Sequence, residues 1–371
     1  MNGTMIILFF IPTKYSKEKV SQPRGNYSST KLLQYLKGNN RYKIFIFSKG
    51  SVEEKYDNLE FLQCNIKNIF TTLEKIKHNK KKVVLSQLHE YFPYAFFTKL
   101  ISNGKLILRT GGIFYGRQKI NSLFFCLKRI RLWLYYQLSD VVISTADCTP
   151  VDLYMRRMGV PKNKYRKWVN GFPIIENKNK YKRRNQILCI SRLSPEKNVD
   201  YVIHSFAKAI PVLNEEYRLV VVGDGPQKDE LIELVKDLKI VNNVNFVGYS
   251  NNLSKYYYTS KLLITGLSNN PIIEGIVTNT PLITVDLGET AKLYSHFQNI
   301  FIVDYPPGGY GKIKEEYFEE LVNKTAEYTI NILNHYHERK CINKVDYEKY
   351  GWEQRLTKEL KAYDGLYRIA E

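Results

Sequence analysis

Paired cysteines are missing from this chain. Cys64, Cys126, Cys148, Cys189 and Cys341 form no CxxC pair and no metal-finger spacing. That argues against a disulfide-stapled secreted fold or a zinc module and for scattered, reduced thiols. Long apolar runs are also missing. The N-terminal Met5–Pro12 run is too short to span a bilayer. With no basic segment before it and no small-residue cleavage site after it, it reads as a buried first strand rather than a signal-peptide core. Repeats of solenoid type are absent. Acidic residues are scarce in one half only: residues 1–172 hold 30 Lys+Arg against 10 Asp+Glu, while residues 173–371 hold 26 of each. A lysine-rich composition throughout would not leave the second half neutral. The asymmetry implies an anionic partner for the first half: a membrane surface, an acidic polymer or nucleic acid.

What is present describes a folded chain. Its 371 residues suggest two domains, and 44% hydrophobic residues with 29 tyrosines exclude global disorder. Short apolar runs alternate with segments of helical spacing. In the first half the runs are 5–11, 42–47, 83–86, 106–108 and 141–144, with helices over 31–37, 90–100 and 124–136 and a long polar loop over 13–30. In the second half the runs start at Ile187, Arg218, Asn243, Lys261 and Thr280, and a last helix is expected from Trp352, apolar at 352, 356, 360 and 363. Regular strand–helix alternation predicts parallel sheets with crossover helices, whose ligands bind at the carboxyl ends of the strands.

Two cations stand at such an end. The run Ile187–Ser191 leads into Arg192-Leu-Ser-Pro-Glu-Lys197, and paired fixed cations suit adjacent phosphates. Gly223-Asp-Gly225 lacks the third glycine of a dinucleotide fingerprint and reads as a structural turn. His89 reads as a surface or packing histidine. The helix over 124–136 is basic, aromatic and amphipathic. It packs on the sheet and also suits a bilayer interface through Trp133 and Tyr135.

The order and spacing of four segments, Ser191–Asn198, Val222–Pro226, Asn243–Tyr249 and Glu274–Ile283, resemble the retaining glycosyltransferases of family 4. The resemblance implies an α/β chain of two Rossmann-like domains facing across a cleft, the GT-B arrangement. Residues 1–172 would bind the acceptor, 173–184 would link, 185–351 would bind a nucleotide-sugar donor, and the helix over 352–371 would cross back to the first domain. It implies catalysis by Arg192 and Lys197, which would clamp the donor diphosphate. Glu274 would accept from the ribose hydroxyls, and Gly25, Thr110, Gly111, Tyr249 and Asn270 would contact substrate.

No metal is implied, since the chain has no Asp-x-Asp pair, and no cofactor beyond the donor itself. The expected setting is cytoplasmic, with a lipid-linked or surface-glycan acceptor and peripheral contact with an anionic membrane. Two departures from the family stand out. Gly266 occupies the position of a first glutamate, eight residues before Glu274, and Gly111 or Gly112 stands where the family carries a histidine. They leave open a catalytically inactive nucleotide-sugar-binding homologue as a first alternative, and the strongly basic first half leaves open a second, an enzyme glycosylating nucleic acid. The second has no nucleic-acid motif behind it, and the tyrosines form no stacking platform.

Overall fold

The computed structural model of the chain describes residues 4–14, 16–21, 28–50, 53–110, 123–146, 155–156, 158–175, 181–266, 269–287, 291–306, 311–336 and 345–368. Two sheets organise it. The first contains β1 (Met5–Ile11), β2 (Tyr42–Ser48), β3 (Glu54–Tyr56), β4 (Leu59–Gln63), β5 (Lys82–Gln87), β6 (Lys105–Thr110), β7 (Val141–Ala146) and β8 (Tyr165–Val169) in the order β3-β4-β2-β1-β5-β6-β7-β8. It is parallel except for the β3–β4 hairpin. The second contains β9 (Arg184–Ile190), β10 (Arg218–Val222), β11 (Val244–Gly248), β12 (Ser260–Thr265), β13 (Leu282–Val285) and β14 (Ile300–Val303), all parallel, in the order β11-β10-β9-β12-β13-β14. β1 along its length and β9 from Ile187 onward are buried on both faces, which is why they read as continuous apolar runs without alternation.

Helices cover both faces of the first sheet. Helix Ser28–Leu36 and the C-terminal helix Trp352–Arg368 pack on one face, where Leu33, Leu356, Leu360 and Tyr363 meet Ile7 and Phe9 of β1. Helices Ile66–Lys75, Phe92–Ser102 and Leu123–Leu138 pack on the other, against Leu8, Phe10 and Val84. The C-terminal helix is thus part of the first domain, tied there by Tyr35 Oη to Thr357 Oγ1 at 3.0 Å and by the Lys82 amide donating to Tyr367 Oη at 2.9 Å. Phe172 and Gly351 form a parallel bridge where the two connections cross side by side. A Cβ on Gly171 would lie 2.4 Å from Trp352 Cα, so the crossing needs glycine there.

The structure corrects three readings and fills one gap. The segment expected as a loop over 13–30 carries helix Lys17–Ser21 and the start of helix Ser28–Leu36. The stretch between β2 and β5, without a reading from sequence, contributes β3, β4 and a helix capped by the Asn65 side chain. Phe172, assigned by sequence to the first domain, is buried in the second core against Tyr294, Phe297 and Tyr350. Tyr135, expected to face a bilayer, stacks on Phe92 at 4.1 Å between ring centroids, whereas Trp133 does point outward, 44% exposed.

Candidate functional site

In the second sheet the strand order reverses between β9 and β12, which opens a crevice beyond their carboxyl ends. The loop after β9 enters it. Pro195 starts a single 3-10 turn over Pro195–Lys197, and Asn198 leaves it in the left-handed region at φ 53°. Asn198 is buried and latched on both sides: its Nδ2 donates to the Gly311 carbonyl at 2.9 Å, and its Oδ1 accepts from the Ile313 amide at 2.7 Å. The loop also rests on the β10 turn. Leu193 N donates to Asp224 O at 3.0 Å, and Gln227 N to Leu193 O at 3.0 Å. A Cβ on Gly223, at φ +142°, would lie 1.8 Å from Ser191 O, and one on Gly225 would lie 2.3 Å from Leu193 O. These two glycines form a turn that lets two backbones touch, as the sequence suggested.

Gly266, the residue after β12, meets the Pro195–Lys197 turn. A Cβ on Gly266 would lie 2.8 Å from Lys197 O and 2.9 Å from Asn198 Cβ. Position 266 therefore accommodates no side chain, and the glycine there is a packing requirement of the Lys197 turn. Gly266→Ala is expected to cost roughly 1–3 kcal/mol by overpacking while displacing Lys197. Urea unfolding would check it, and an unchanged midpoint would contradict the close approach.

Helix Asn269–Val277 follows, with its N-terminus turned to the crevice. Glu274, in its second turn, is 7% exposed. Tyr257 lies beside it. Burial first, and the Glu274 carboxylate second, push that phenol well above its usual range. Asn270 Oδ1 accepts from Asn170 Nδ2 at 3.2 Å, a contact between the two domains. Gly171, Pro173, Asn270, Ile273, Glu274 and Trp352 line a small open pocket. Glu274 and Asn270 thus sit together at the domain junction, on the helix that starts beside the Lys197 turn.

The two cations differ in state. Arg192 is exposed and its Nη2 lies 2.6 Å from Glu196 Oε1, with Nε 3.2 Å from Ser194 Oγ. Burial opposes the charge on Glu196, but hydrogen bonds from Ser194 and Arg192 outweigh it and hold the carboxyl below its usual range. An anion entering the crevice meets an arginine held by a neighbouring carboxylate at the surface, where such pairs are weak. Lys197 is half-buried at the end of the turn.

The remaining sequence-derived positions scatter. Tyr249 follows the edge strand β11 and is 78% exposed, on the same rim but two strands from β9. Thr110 ends β6 and is buried. Gly25 and Gly111 lie outside the described residues. His89 packs on Tyr135 and meets Tyr136 Oη at 3.3 Å, a packing role. Among the described residues no group of three or more His, Cys, Asp or Glu is placed to hold a metal.

Sequence reasoning missed a charged cluster at the carboxyl ends of the first sheet. Arg109 of β6 is 1% exposed and its Nε lies 2.8 Å from Glu359 Oε1 of the C-terminal helix, an ionic contact without hydrogen-bond geometry. Its Nη1 donates to Gln87 Oε1 at 3.1 Å and its Nη2 to Glu359 Oε2 at 3.3 Å. Arg355 Nη1 lies 2.8 Å from the same carboxylate, with its guanidinium 4.6 Å from the Trp168 ring centroid. Burial alone would raise Glu359; the two guanidiniums and the Tyr363 hydroxyl outweigh it and hold the carboxyl below its usual range.

Residues 172–307 match the family model described as glycosyl transferases group 1. Over 190 residues, 48% of this chain, the sequence is 26% identical to an exopolysaccharide phosphotransferase of Streptomyces coelicolor, covering 19% of that protein. Over 105 residues, 27% of the chain, it is 30% identical to the N-acetylgalactosamine-N,N'-diacetylbacillosaminyl-diphospho-undecaprenol 4-alpha-N-acetylgalactosaminyltransferase of Campylobacter jejuni, covering 27% of it. The chain thus spans under a third of the length of either curated relative. Among solved structures, HepE of Anabaena in complex with UDP and glucose superposes with a TM-score of 0.64 at 16% identity, over 97% of this chain and 99% of that one. The fold is that of the GT-B glycosyltransferases, over nearly the whole chain.

Proposed function

We propose that this chain, whose residues 172–307 match the glycosyl transferases group 1 model, is a retaining glycosyltransferase that takes a sugar from a nucleotide-sugar donor without a metal ion. One observation carries the reading: the Arg192–Lys197 turn meets Gly266 at the switch point of the second sheet, beside the N-terminus of helix Asn269–Val277 that carries Glu274. Departure of a nucleoside diphosphate builds negative charge on the leaving oxygens as the glycosidic bond breaks. Arg192, Lys197 and the helix N-terminus place fixed positive charge where that develops, which favours the transition state over the ground state. Glu274 offers two acceptor oxygens to vicinal ribose hydroxyls. Because no side chain fits at 266, contacts to the donor sugar on this side come from backbone and from Asn270. The HepE complex with UDP and glucose supports the donor class, and the Campylobacter relative, named for a diphospho-undecaprenol substrate, supports a lipid-linked or surface-glycan acceptor.

The test is a panel of nucleotide sugars scored by release of nucleoside diphosphate, with donor binding measured in parallel. Release with at least one donor is expected; binding without any release would favour the inactive homologue. Transfer is further expected to persist in excess chelator. Complete loss, restored by magnesium or manganese, would mean that a metal handles the phosphates.

A further inference from the structure

We propose that the outer face of the three helices Ile66–Lys75, Phe92–Ser102 and Leu123–Leu138 is a docking surface for an anionic lipid bilayer. The three lie side by side over one face of the first sheet. Phe70 and Phe97 meet edge-on at 6.0 Å, Phe92 and Tyr135 stack at 4.1 Å, and Lys99 Nζ donates to Leu138 O at 3.2 Å. A helix on a sheet needs one apolar stripe, facing inward. Leu123–Leu138 has that stripe in Leu132 and Tyr136, and a second on its opposite side. Leu127 and Ile130 are 57% and 54% exposed, followed by Leu134 and Leu138 at helical spacing. Phe97 and Leu100 extend the patch on the neighbouring helix. Large apolar side chains exposed together on adjacent helices mark an interaction surface.

The charge on the same helices selects the partner. Phe92–Ser102 and Leu123–Leu138 contain no acidic residue; Arg129 and Arg131 are exposed, and Lys99 shares its charge with Asp140 at 2.9 Å. Two copies joined by this face would bring like charges together. An anionic bilayer instead supplies opposite charge at its headgroups and an apolar layer beneath, the arrangement an in-plane amphipathic helix needs, with Trp133 at the boundary. Among the described residues no helix is long and apolar enough to cross a membrane, so docking is parallel to the surface. The inference rests on the lipid-linked-acceptor reading for its purpose, but its measurement needs no sugar transfer, so either can fail alone.

The experiment is co-sedimentation of the full chain with vesicles of phosphatidylcholine containing phosphatidylglycerol, and of phosphatidylcholine alone, across a salt series. Wild-type protein is expected to bind the anionic vesicles at least ~10-fold more tightly at low salt and to lose the difference as salt rises. Arg129→Glu with Arg131→Glu should abolish the preference. Leu127→Ser with Ile130→Ser should weaken binding by ~10-fold or more with an unchanged circular dichroism spectrum and melting temperature. Equal binding to both vesicle types, or wild-type binding by either variant, would overturn the proposal. So would a dimer in sedimentation equilibrium that the serine variant dissolves while vesicle binding is absent.

Discussion

Alanine at both Arg192 and Lys197 is expected to leave a folded protein with turnover lowered by ~100-fold or more. The estimate follows from the value of a fixed positive donor at developing negative charge, on the order of 3 kcal/mol for one such group. Stability should change by less than ~1 kcal/mol, because Arg192 is exposed and pairs at the surface with Glu196, and the turn itself is held by Asn198 and the Gly223–Gly225 backbone. The measurement is nucleoside-diphosphate release at saturating donor together with chemical unfolding. Wild-type turnover in the double variant would remove both residues from the mechanism. Since Glu196 pairs with Arg192, Glu196→Gln provides an internal comparison that removes the ion pair without deleting the guanidinium.

Removing Glu359 is expected to act on stability instead. Glu359→Ala leaves two guanidiniums buried at 1% and 6% exposure without their carboxylate, and deleting one partner of a buried ion pair typically costs about 3–5 kcal/mol. The loss should appear as a lower denaturation midpoint and as earlier proteolysis of the C-terminal helix, whose tie to β6 is gone. The pH dependence has a definite sign. The folded-state value of Glu359 lies below the unfolded one, so its contribution is complete above the usual glutamate value of about 4.3 and disappears as pH falls through the lower folded value. Wild-type protein should therefore show an acid-induced loss of stability that Glu359→Gln lacks. Equal midpoints for wild type and Glu359→Ala at neutral pH would show that the cluster holds nothing together.

Much of the fold was legible because the buried strands of a parallel sheet are short apolar runs, and β1, β2, β9, β10 and β12 are such runs. The hairpin β3–β4 was not legible: Glu54–Tyr56 and Leu59–Gln63 sit at the sheet edge, carry charge, and turn through Asp57 in a left-handed conformation. Asn198 gave a faint signal as an asparagine between a turn and a helix, but its latch onto Gly311 and Ile313 spans more than a hundred residues. The buried cluster had signals too. Arg109 interrupts the apolar run of β6, and Arg355 and Glu359 flank the apolar positions 356 and 360 at a spacing of four. Without knowing that helix and strand meet, each reads as a surface charge.

The sequence by itself determined the architecture: alternation of apolar runs and helical periods dictates two parallel sheets, and the motif order places two cations beyond the end of a central strand. Local pattern suffices there, because strand burial and turn chemistry are properties of a few adjacent residues. Only the tertiary structure decided that Gly266 is a contact with the Lys197 turn rather than a vacant acidic position, that Asn270 meets Asn170 across the domains, and that Leu127 and Ile130 face outward while Tyr135 faces in. Those facts depend on which backbones approach within 3 Å and which helix face a sheet covers, distances set by residues far apart in the chain.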